Sequence, residues 1–280
     1  MFSNNKMEFL QHILYINLGY RIDRREHCIA EFKKLGIPES QYERFPAIQT
    51  TSGSVGCTMS HIKCLELAKQ RGWDQVFICE DDIEFTNPEL FMTQLKRLYD
   101  EKLPWDIIVA GGNNCPPFQY INDYCVRVCN VQTTTGYIVK KDYYDILIGN
   151  FKEGLMKLMR EPSRHKEFAI DIYWKHLQMK DNWIMLIPLS VCQYYDFSDI
   201  EGKVVDYKVM MLDLEKKALI EYYAKLQSDQ DNNPFIMSNF SSKLPVTDVY
   251  QGRIESFNGV NKVVQRGTDS NSQKYKLNFL

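Results

Sequence analysis

The chain has 280 residues and a hydrophobic fraction of 44%, enough to bury one large core or two smaller ones. Its formal net charge of -2 argues against broad electrostatic binding to nucleic acids or anionic membranes. The eight cysteines are scattered and form no Cys-x-x-Cys pair, so we expect reduced, intracellular thiols. No apolar run is long enough to cross a bilayer, and residues 1–11 lack the apolar core of a secretion signal. We therefore expect a cytoplasmic protein without a membrane span.

The first buried strand is predicted at residues 13–16, where four apolar residues follow one another. Arg21, Arg24 and Arg25 come next, and helical spacings of three and four would place them on one face. Guanidinium groups on one face suit a phosphate or a pyrimidine ring. A solvated basic face explains the same pattern equally well, so both interpretations stay open.

Residues 76–82 join four apolar residues to three adjacent acids, Glu80, Asp81 and Asp82. The apolar residues predict a buried strand, whereas three acids are costly to bury in a sheet without compensation. We therefore expect the acids just past the carboxyl end of the strand, where open α/β sheets bind ligands. A hard divalent cation shared with substrate phosphates would relieve their mutual repulsion. The alternative is an acidic surface turn.

The rest of the chain alternates between helical patterns and short apolar runs. A turn at residues 52–56 leads into a helix that carries Ser60 and His61, and the histidine is either structural or catalytic. Asn87 and Pro88 predict the start of another helix. Strands are also predicted at 42–48, 106–110, 124–128, 133–139 and 183–189, and helices at 143–148, 168–177 and 209–226.

Alternating strands and helices predict an α/β fold with a mostly parallel sheet flanked by helices. The chain lacks a Gly-rich dinucleotide fingerprint, a P-loop and a Gly-x-Ser-x-Gly elbow, which argues against dehydrogenases, P-loop enzymes and α/β-hydrolases. Beyond residue 228 the sequence is polar and has little periodicity. We therefore expect one domain at 1–227 and a polar tail or small appendage at 228–280.

In their order and spacing, several blocks of this sequence resemble glycosyltransferase family 25. That family includes bacterial lipooligosaccharide galactosyltransferases and collagen hydroxylysine galactosyltransferases. The similarity spans roughly residues 12–205. The blocks are residues 16–18 with Arg21, Arg24 and Arg25, residues 45–47, Gly56-Cys57 with Ser60-His61, residues 80–82, residues 135–137, Asp171, and residues 193–200.

The resemblance implies a GT-A-like nucleotide-sugar-binding fold, UDP-galactose or UDP-glucose as donor, and Mn²⁺ or Mg²⁺ as cofactor. It places Glu80-Asp81-Asp82 at the family's Asp-x-Asp position, with Asp82 as the direct metal ligand. Glu80 would then face the ribose or the water shell of the metal. Gln193 stands where collagen-modifying relatives place a metal-binding histidine, and an amide oxygen can bind a hard cation.

The resemblance also implies a nucleotide site lined by Asn17, Arg21 and Arg24. Ser60, His61, Glu80 and Asp81 are expected to belong to the same site, by direct contact or by supporting it.

Asp171 matches a late carboxylate of the family. It would act as the base in an inverting transfer of hexose to a hydroxyl of a glycan or of a collagen-like hydroxylysine. Its alternative role is structural, and Glu167 is the next candidate base. Two other functions stay open, a non-catalytic nucleotide-sugar or glycan-binding module on the same fold and a metal-dependent phosphodiesterase.

Overall fold

The computed structural model describes residues 9–217, residue 221, and residues 252–257 and 260–265. Residues Met1–Ala218 form one compact unit, and Leu219–Leu280 form a second. The strands of the first unit are β1 (Ile13–Asn17), β2 (Tyr42–Pro46), β3 (Gln75–Glu80), β4 (Ile83–Phe85), β5 (Ile107–Asn114), β6 (Phe118–Tyr120), β7 (Cys125–Val128), β8 (Val131–Lys140), β9 (Trp183–Leu186), β10 (Val191–Gln193), β11 (Asp196–Ser198) and β12 (Lys203–Val205). Its helices are α1 (Ile22–Lys34), α2 (Gly53–Gln70), α3 (Pro88–Asp100), α4 (Tyr144–Arg160), α5 (His165–Phe168), α6 (Ile170–Tyr173), α7 (Lys175–Gln178) and α8 (Lys208–Leu212).

Within residues 9–217, eight strands form one sheet in the order β2-β1-β3-β8-β5-β9-β7-β6. The α/β class is confirmed, and the sheet is mixed rather than mostly parallel. Its pairs β1–β2, β1–β3 and β5–β9 are parallel, whereas β3–β8, β5–β8, β6–β7 and β7–β9 are antiparallel. β8 runs antiparallel to β5 because the two strands are joined by the short connection that contains β6 and β7. This connection brings the chain back beside β5 without the crossover helix that a parallel neighbour needs.

Each central strand divides its side chains between the two faces of the sheet, because successive side chains of a strand point in opposite directions. In β1, Leu14 and Ile16 belong to one buried cluster, and Ile13 and Tyr15 belong to another. Helices α2 and α4 add their apolar residues to the first cluster, and α1 and α3 add theirs to the second. The sheet is therefore the middle layer between two layers of helix.

The helix start predicted at Asn87 is confirmed. The Asn87 side chain accepts a hydrogen bond from the backbone N–H of Leu90 at 3.0 Å, and Pro88 is the first residue of α3.

The helix predicted at 168–177 is interrupted, because Ala169 has extended backbone angles that separate α5 from α6. The helix predicted at 209–226 is also interrupted, because α8 ends at Leu212 and residues 213–216 are not helical. Lys217 and Glu221 are helical again, and the other residues from 218 to 226 lie outside the described part of the chain. No helix in the described ranges combines the length and the apolar character that crossing a membrane requires.

In the second unit, β13 (Gly252–Phe257) and β14 (Val260–Gln265) pair as an antiparallel hairpin. From the sequence we expected a polar tail or a small appendage here. The dipeptide Asn258-Gly259 is a strong predictor of a hairpin turn, because it lies between two short runs that each mix apolar and polar residues. The boundary predicted at 227/228 lies outside the described residues.

Gly56 is the point where α2 approaches the chain that follows β2. A Cβ atom at this position would lie 2.3 Å from the backbone oxygen of Ile48. We expect Gly56→Ala to lower the free energy of unfolding by about 1–3 kcal/mol, the usual range for overpacking. Urea denaturation measures this change.

Gly149→Ala is the matched control, because Gly149 is exposed in α4 and no atom lies within 4 Å of an added Cβ. Alanine is the better helix former, so this variant should gain about 0.5–1 kcal/mol. Equal effects of the two variants would show that the close approach at Gly56 is not a constraint.

Candidate functional site

The site begins where β1 and β3 end. The two strands are parallel neighbours, and Ile16 pairs with Glu80. Asn17 and the three acids are therefore brought to the same edge of the sheet. Asn17 is buried, and its Nδ2 donates to Asp81 Oδ2 at 2.6 Å. Its Oδ1 accepts from Arg44 Nε at 2.8 Å, so its amide is held from both ends.

Arg24 is the positive group closest to the acids. It reaches them from the first turn of α1, and only 9% of its surface is exposed. Its Nη1 donates to Asp81 Oδ1 at 3.1 Å and to Asp82 Oδ2 at 3.2 Å. Burial nevertheless raises the pKa of Asp81 above its ordinary value, against the effects of Arg24 and Asn17. One guanidinium therefore compensates two buried carboxylates only in part.

Asp82 has the more strongly shifted pKa of these two acids. Burial and the neighbouring charge of Glu80 raise it to about 7, and Arg24 acts against this shift. Asp82 Oδ1 is buried and accepts no hydrogen bond from the described residues, and Gln193 Oε1 is in the same condition. The two residues lie on paired segments, because Gln193 pairs with Ile83 and the Tyr194 N–H donates to the Asp82 carbonyl at 2.7 Å. Two buried oxygens of this kind fit a hard cation such as Mn²⁺ or Mg²⁺.

Glu80 is held by a different set of groups. Its Oε1 accepts a hydrogen bond from the hydroxyl of Thr134 on β8 and lies 3.3 Å from His61 Nε2. His61 is buried, and its Nδ1 lies 3.0 Å from the hydroxyl of Tyr137. Burial favours the neutral acid, but the contacts with His61 and Thr134 keep the pKa of Glu80 below its ordinary value. Glu80 is thus the acid of the triplet that stays ionised most readily.

In the described part of the chain, the hydroxyl of Ser60 forms hydrogen bonds with backbone groups only. Its hydroxyl donates to the Gly56 carbonyl at 2.8 Å and accepts from the Ile48 N–H at 2.8 Å. Ser60 therefore attaches the segment after β2 to α2 and supports the site from behind.

Arg21 and Arg24 face a second group of acids, carried by the segment that contains β11. Arg24 Nε donates to Asp196 Oδ2 at 2.9 Å, and Arg21 Nη1 donates to Asp199 Oδ2 at 2.6 Å. Arg21 also contacts Asp196 and Asp23. Of the three arginines predicted to share one face, Arg21 and Arg24 thus meet negative groups, and these are carboxylates of the same chain, whereas Arg25 is exposed.

Asp171 lies in the first turn of α6 and reaches toward β8. Its Oδ2 accepts a hydrogen bond from the Thr133 N–H at 3.0 Å, and Thr133 has a φ of 66°, in the left-handed region. Burial raises the pKa of Asp171, and the charge of Glu80 adds to this effect. Glu167, the other candidate base, is exposed on α5 and paired with Arg164, which lowers its pKa.

Sequence reasoning missed the supporting groups Thr134, Tyr137 and Asp196. Thr134 and Tyr137 lie on a predicted strand, and Tyr137 and Asp196 lie in blocks that resemble the family. Their contacts join segments far apart in the chain, and no local pattern indicates such pairs.

A family model described as "Glycosyltransferase family 25 (LPS biosynthesis protein)" matches residues 49–227, more than half of the chain. A "Glycosyltransferase 25 family member" of Anopheles gambiae is 26% identical over 198 residues, covering 59% of this chain and 31% of that protein. The Homo sapiens "Inactive glycosyltransferase 25 family member 3" is 38% identical over 134 residues, covering 38% of this chain and 22% of that protein. The chain thus spans less than a third of the length of these two relatives.

Two solved structures have a weaker, overall similarity. One is a glycosyltransferase involved in the glycosylation of the major capsid of PBCV-1, with 10% identity and a TM-score of 0.38, covering 72% of this chain and 88% of that chain. The other is a UDP-glucose pyrophosphorylase complexed with UDP-glucose, with 10% identity and a TM-score of 0.38, covering 77% and 99%. Similarity at this level carries no information about ligands or reaction.

Because Arg24 offsets the negative charges of Asp81 and Asp82, we expect Arg24→Met to be less stable than the wild type, by an amount that depends on pH. Removing one partner of a buried ion pair typically costs about 3–5 kcal/mol. Folding raises the pKa of Asp82 from 3.8 to about 7, so in that range the folded state binds more protons than the unfolded state. Stability therefore falls as the pH rises through this range, and the loss continues to higher pH when Arg24 is absent.

Urea denaturation at pH 5.5 and pH 8 measures this effect, and the difference between wild type and Arg24→Met should be larger at pH 8. Arg25→Met is the control, because Arg25 is the exposed neighbour of Arg24. A difference that does not change with pH would mean that Arg24 does not compensate the acids.

Proposed function

Because the chain belongs to glycosyltransferase family 25 and has a GT-A-like α/β fold, we propose that it transfers a hexose from a UDP-sugar to a hydroxyl acceptor. Galactose and glucose are the sugars we propose, and the acceptor is a glycan or a collagen-like hydroxylysine. The observation that carries the proposal is the pair of buried oxygens without partners in the described residues, on Asp82 and Gln193, next to Glu80 and Asp81. A screen of UDP-sugar hydrolysis and transfer across several donors, with and without Mn²⁺, tests it.

Asp82 and Gln193 are the residues that would hold Mn²⁺ or Mg²⁺. When bound, the ion supplies positive charge that stabilises the diphosphate of the leaving UDP. His61 and Thr134 keep the Glu80 carboxylate ionised and oriented. Glu80 would then face the ribose of the donor or a water bound to the ion.

Asn17, Asp81, Arg21 and Arg24 line the proposed nucleotide site. Arg24 keeps Asp81 and Asp82 in place, and the guanidinium of Arg21 is available to a phosphate when it exchanges a carboxylate partner. Ser60 and His61 support this wall through α2.

Asp171 is the base that we propose for the transfer. It would accept the proton of the acceptor hydroxyl while that oxygen attacks the sugar carbon opposite the departing UDP, which inverts the configuration at this carbon. The raised pKa of Asp171 suits this role, because a base is more effective when its pKa lies closer to the working pH. Glu167 is less suitable, because it is exposed and paired with Arg164.

A non-catalytic nucleotide-sugar or glycan-binding module is the second candidate. One observation favours it, namely that the relatives from Homo sapiens and Mus musculus carry the word "inactive" in their names. The two functions differ in turnover and agree in UDP binding, so the donor screen separates them. The family match argues against a metal-dependent phosphodiesterase.

The metal role of Asp82 predicts that UDP stabilises the protein more with Mn²⁺ than without it. A ligand at about 100 times its Kd adds about 2.7 kcal/mol to the stability of the native state. Thermal melting with UDP, with Mn²⁺ and with both measures the effect, and Asp82→Asn should lose the Mn²⁺-dependent part together with most of the turnover.

The control for this prediction is Glu84→Gln, which changes a nearby acid that is paired with Lys208. Its melting shift should equal that of the wild type. Near-normal turnover in a folded Asp82→Asn variant would exclude the metal role.

The base role of Asp171 predicts that Asp171→Asn keeps UDP affinity and loses transfer. The asparagine oxygen can still accept the Thr133 N–H, so the fold should be kept. Transfer should fall by roughly 10²–10⁴, the range that a positioned base contributes. UDP affinity and transfer rate are measured in the same preparation, with Glu167→Gln as the control. Unchanged transfer in Asp171→Asn, or an equal loss in Glu167→Gln, would remove Asp171 from the mechanism.

A further inference from the structure

A second group of metal-ligand atoms lies between α2 and the end of β3. Cys57 and His61 are four residues apart on α2 and therefore share one face of the helix. Their ligand atoms and one oxygen of Glu80 all lie within 4.8 Å of one another. Cys57 Sγ is 3.8 Å from Glu80 Oε1, and His61 Nε2 is 3.3 Å from the same oxygen.

The two separations from the Glu80 oxygen suit one tetrahedral ion. Zinc binds nitrogen, oxygen and sulfur at about 2.0–2.3 Å, so neighbouring ligand atoms around it lie about 3.3–3.8 Å apart. Three protein ligands would leave a fourth position for water, as in open zinc sites. On the far side of the His61 ring, the hydroxyl of Tyr137 is 3.0 Å from Nδ1. That hydroxyl can accept the Nδ1 proton and so direct Nε2 toward the ion.

The cluster is accessible to a cation, and the charges around it are negative. His61 is buried, whereas Cys57 and Glu80 are partly exposed. Burial, together with the negative charges of Glu80 and Asp171, raises the pKa of the Cys57 thiol. When a divalent ion binds, the sulfur–metal bond forms and the thiol proton passes to water, and the same negative charges then favour the bound cation.

We propose that Cys57, His61 and Glu80 form a site for a thiophilic divalent ion of the zinc type, separate from the oxygen ligands of Asp82 and Gln193. Thiolate and imidazole select zinc-like ions, whereas carboxylate and amide oxygens suit Mn²⁺ and Mg²⁺. Glu80 also faces the proposed nucleotide site, where it would contact the ribose or a water of the Mn²⁺ or Mg²⁺ ion. Zinc at this site therefore withdraws the Glu80 carboxylate from the nucleotide site and inhibits transfer. The inhibition rests on the proposed function, whereas ion binding does not.

Cobalt tests the site directly, because a thiolate ligand gives Co²⁺ a charge-transfer absorption band. The full chain, freed of metal with a chelator, is titrated with Co²⁺, and the band should appear and then disappear when Zn²⁺ displaces the cobalt. Cys57→Ala and Cys57→Ser should both lack the band. Cys129→Ala should keep it, because Cys129 is another partly exposed thiol and its sulfur donates to the Pro117 carbonyl instead. A wild-type protein without the band, or Cys57 variants that keep it, overturns the site.

Zinc inhibition is then measured at saturating Mn²⁺. Cys57→Ala should keep the basal rate and need at least about tenfold more zinc for the same inhibition, since even the loss of a supporting contact commonly costs a metal site that much affinity. Equal inhibition of wild type and variant overturns the inhibitory role. A chain that transfers no sugar from any donor contradicts the proposed function, and the cobalt spectrum still decides whether the site exists.

Discussion

The compensation of three adjacent carboxylates at one edge of the sheet is the constraint on which the site depends. Arg24 contacts Asp81 and Asp82 from one side, and Asn17 fixes Asp81 from another. The compensation is incomplete, because the pKa of Asp82 stays near 7 and one of its oxygens accepts no hydrogen bond from the described residues. A buried charge that lacks a full partner lowers stability. The same deficit would favour the divalent cation that we propose for this position.

The parts of the fold that follow from local pattern could be predicted, and the parts that follow from long-range pairing could not. The apolar run before Glu80 is a strand in the structure because four adjacent apolar residues need burial on both faces of a sheet. Asn87 begins a helix because its side chain accepts a backbone N–H. The antiparallel insertion of β8 between β3 and β5 depends on which distant segments meet, and periodicity does not encode this.

The candidate site shows the same division. From the sequence, Arg21 and Arg24 could face either an anion or solvent, and local spacing could not decide between the two. In the structure their partners include Asp196 and Asp199, more than 170 residues later in the chain. Similarly, the predicted helix at 168–177 contained Asp171, with the other candidate base, Glu167, just before it. The break at Ala169 separates them, and the contact of Asp171 with the Thr133 backbone N–H is a tertiary one.

Glu80 connects the two kinds of ligand chemistry proposed for this edge of the sheet. Zinc binds most mixed nitrogen, oxygen and sulfur sites more tightly than manganese does, so protein ligands alone would favour zinc. A diphosphate contributes only hard oxygens, and these suit manganese and magnesium. The nucleotide sugar would therefore help to select its own metal by adding oxygen ligands on the Asp82 side. Without it, the thiol and imidazole of α2 are the stronger ligands, and Glu80 is shared with them. On this argument, ion choice at this edge depends on whether the donor is bound.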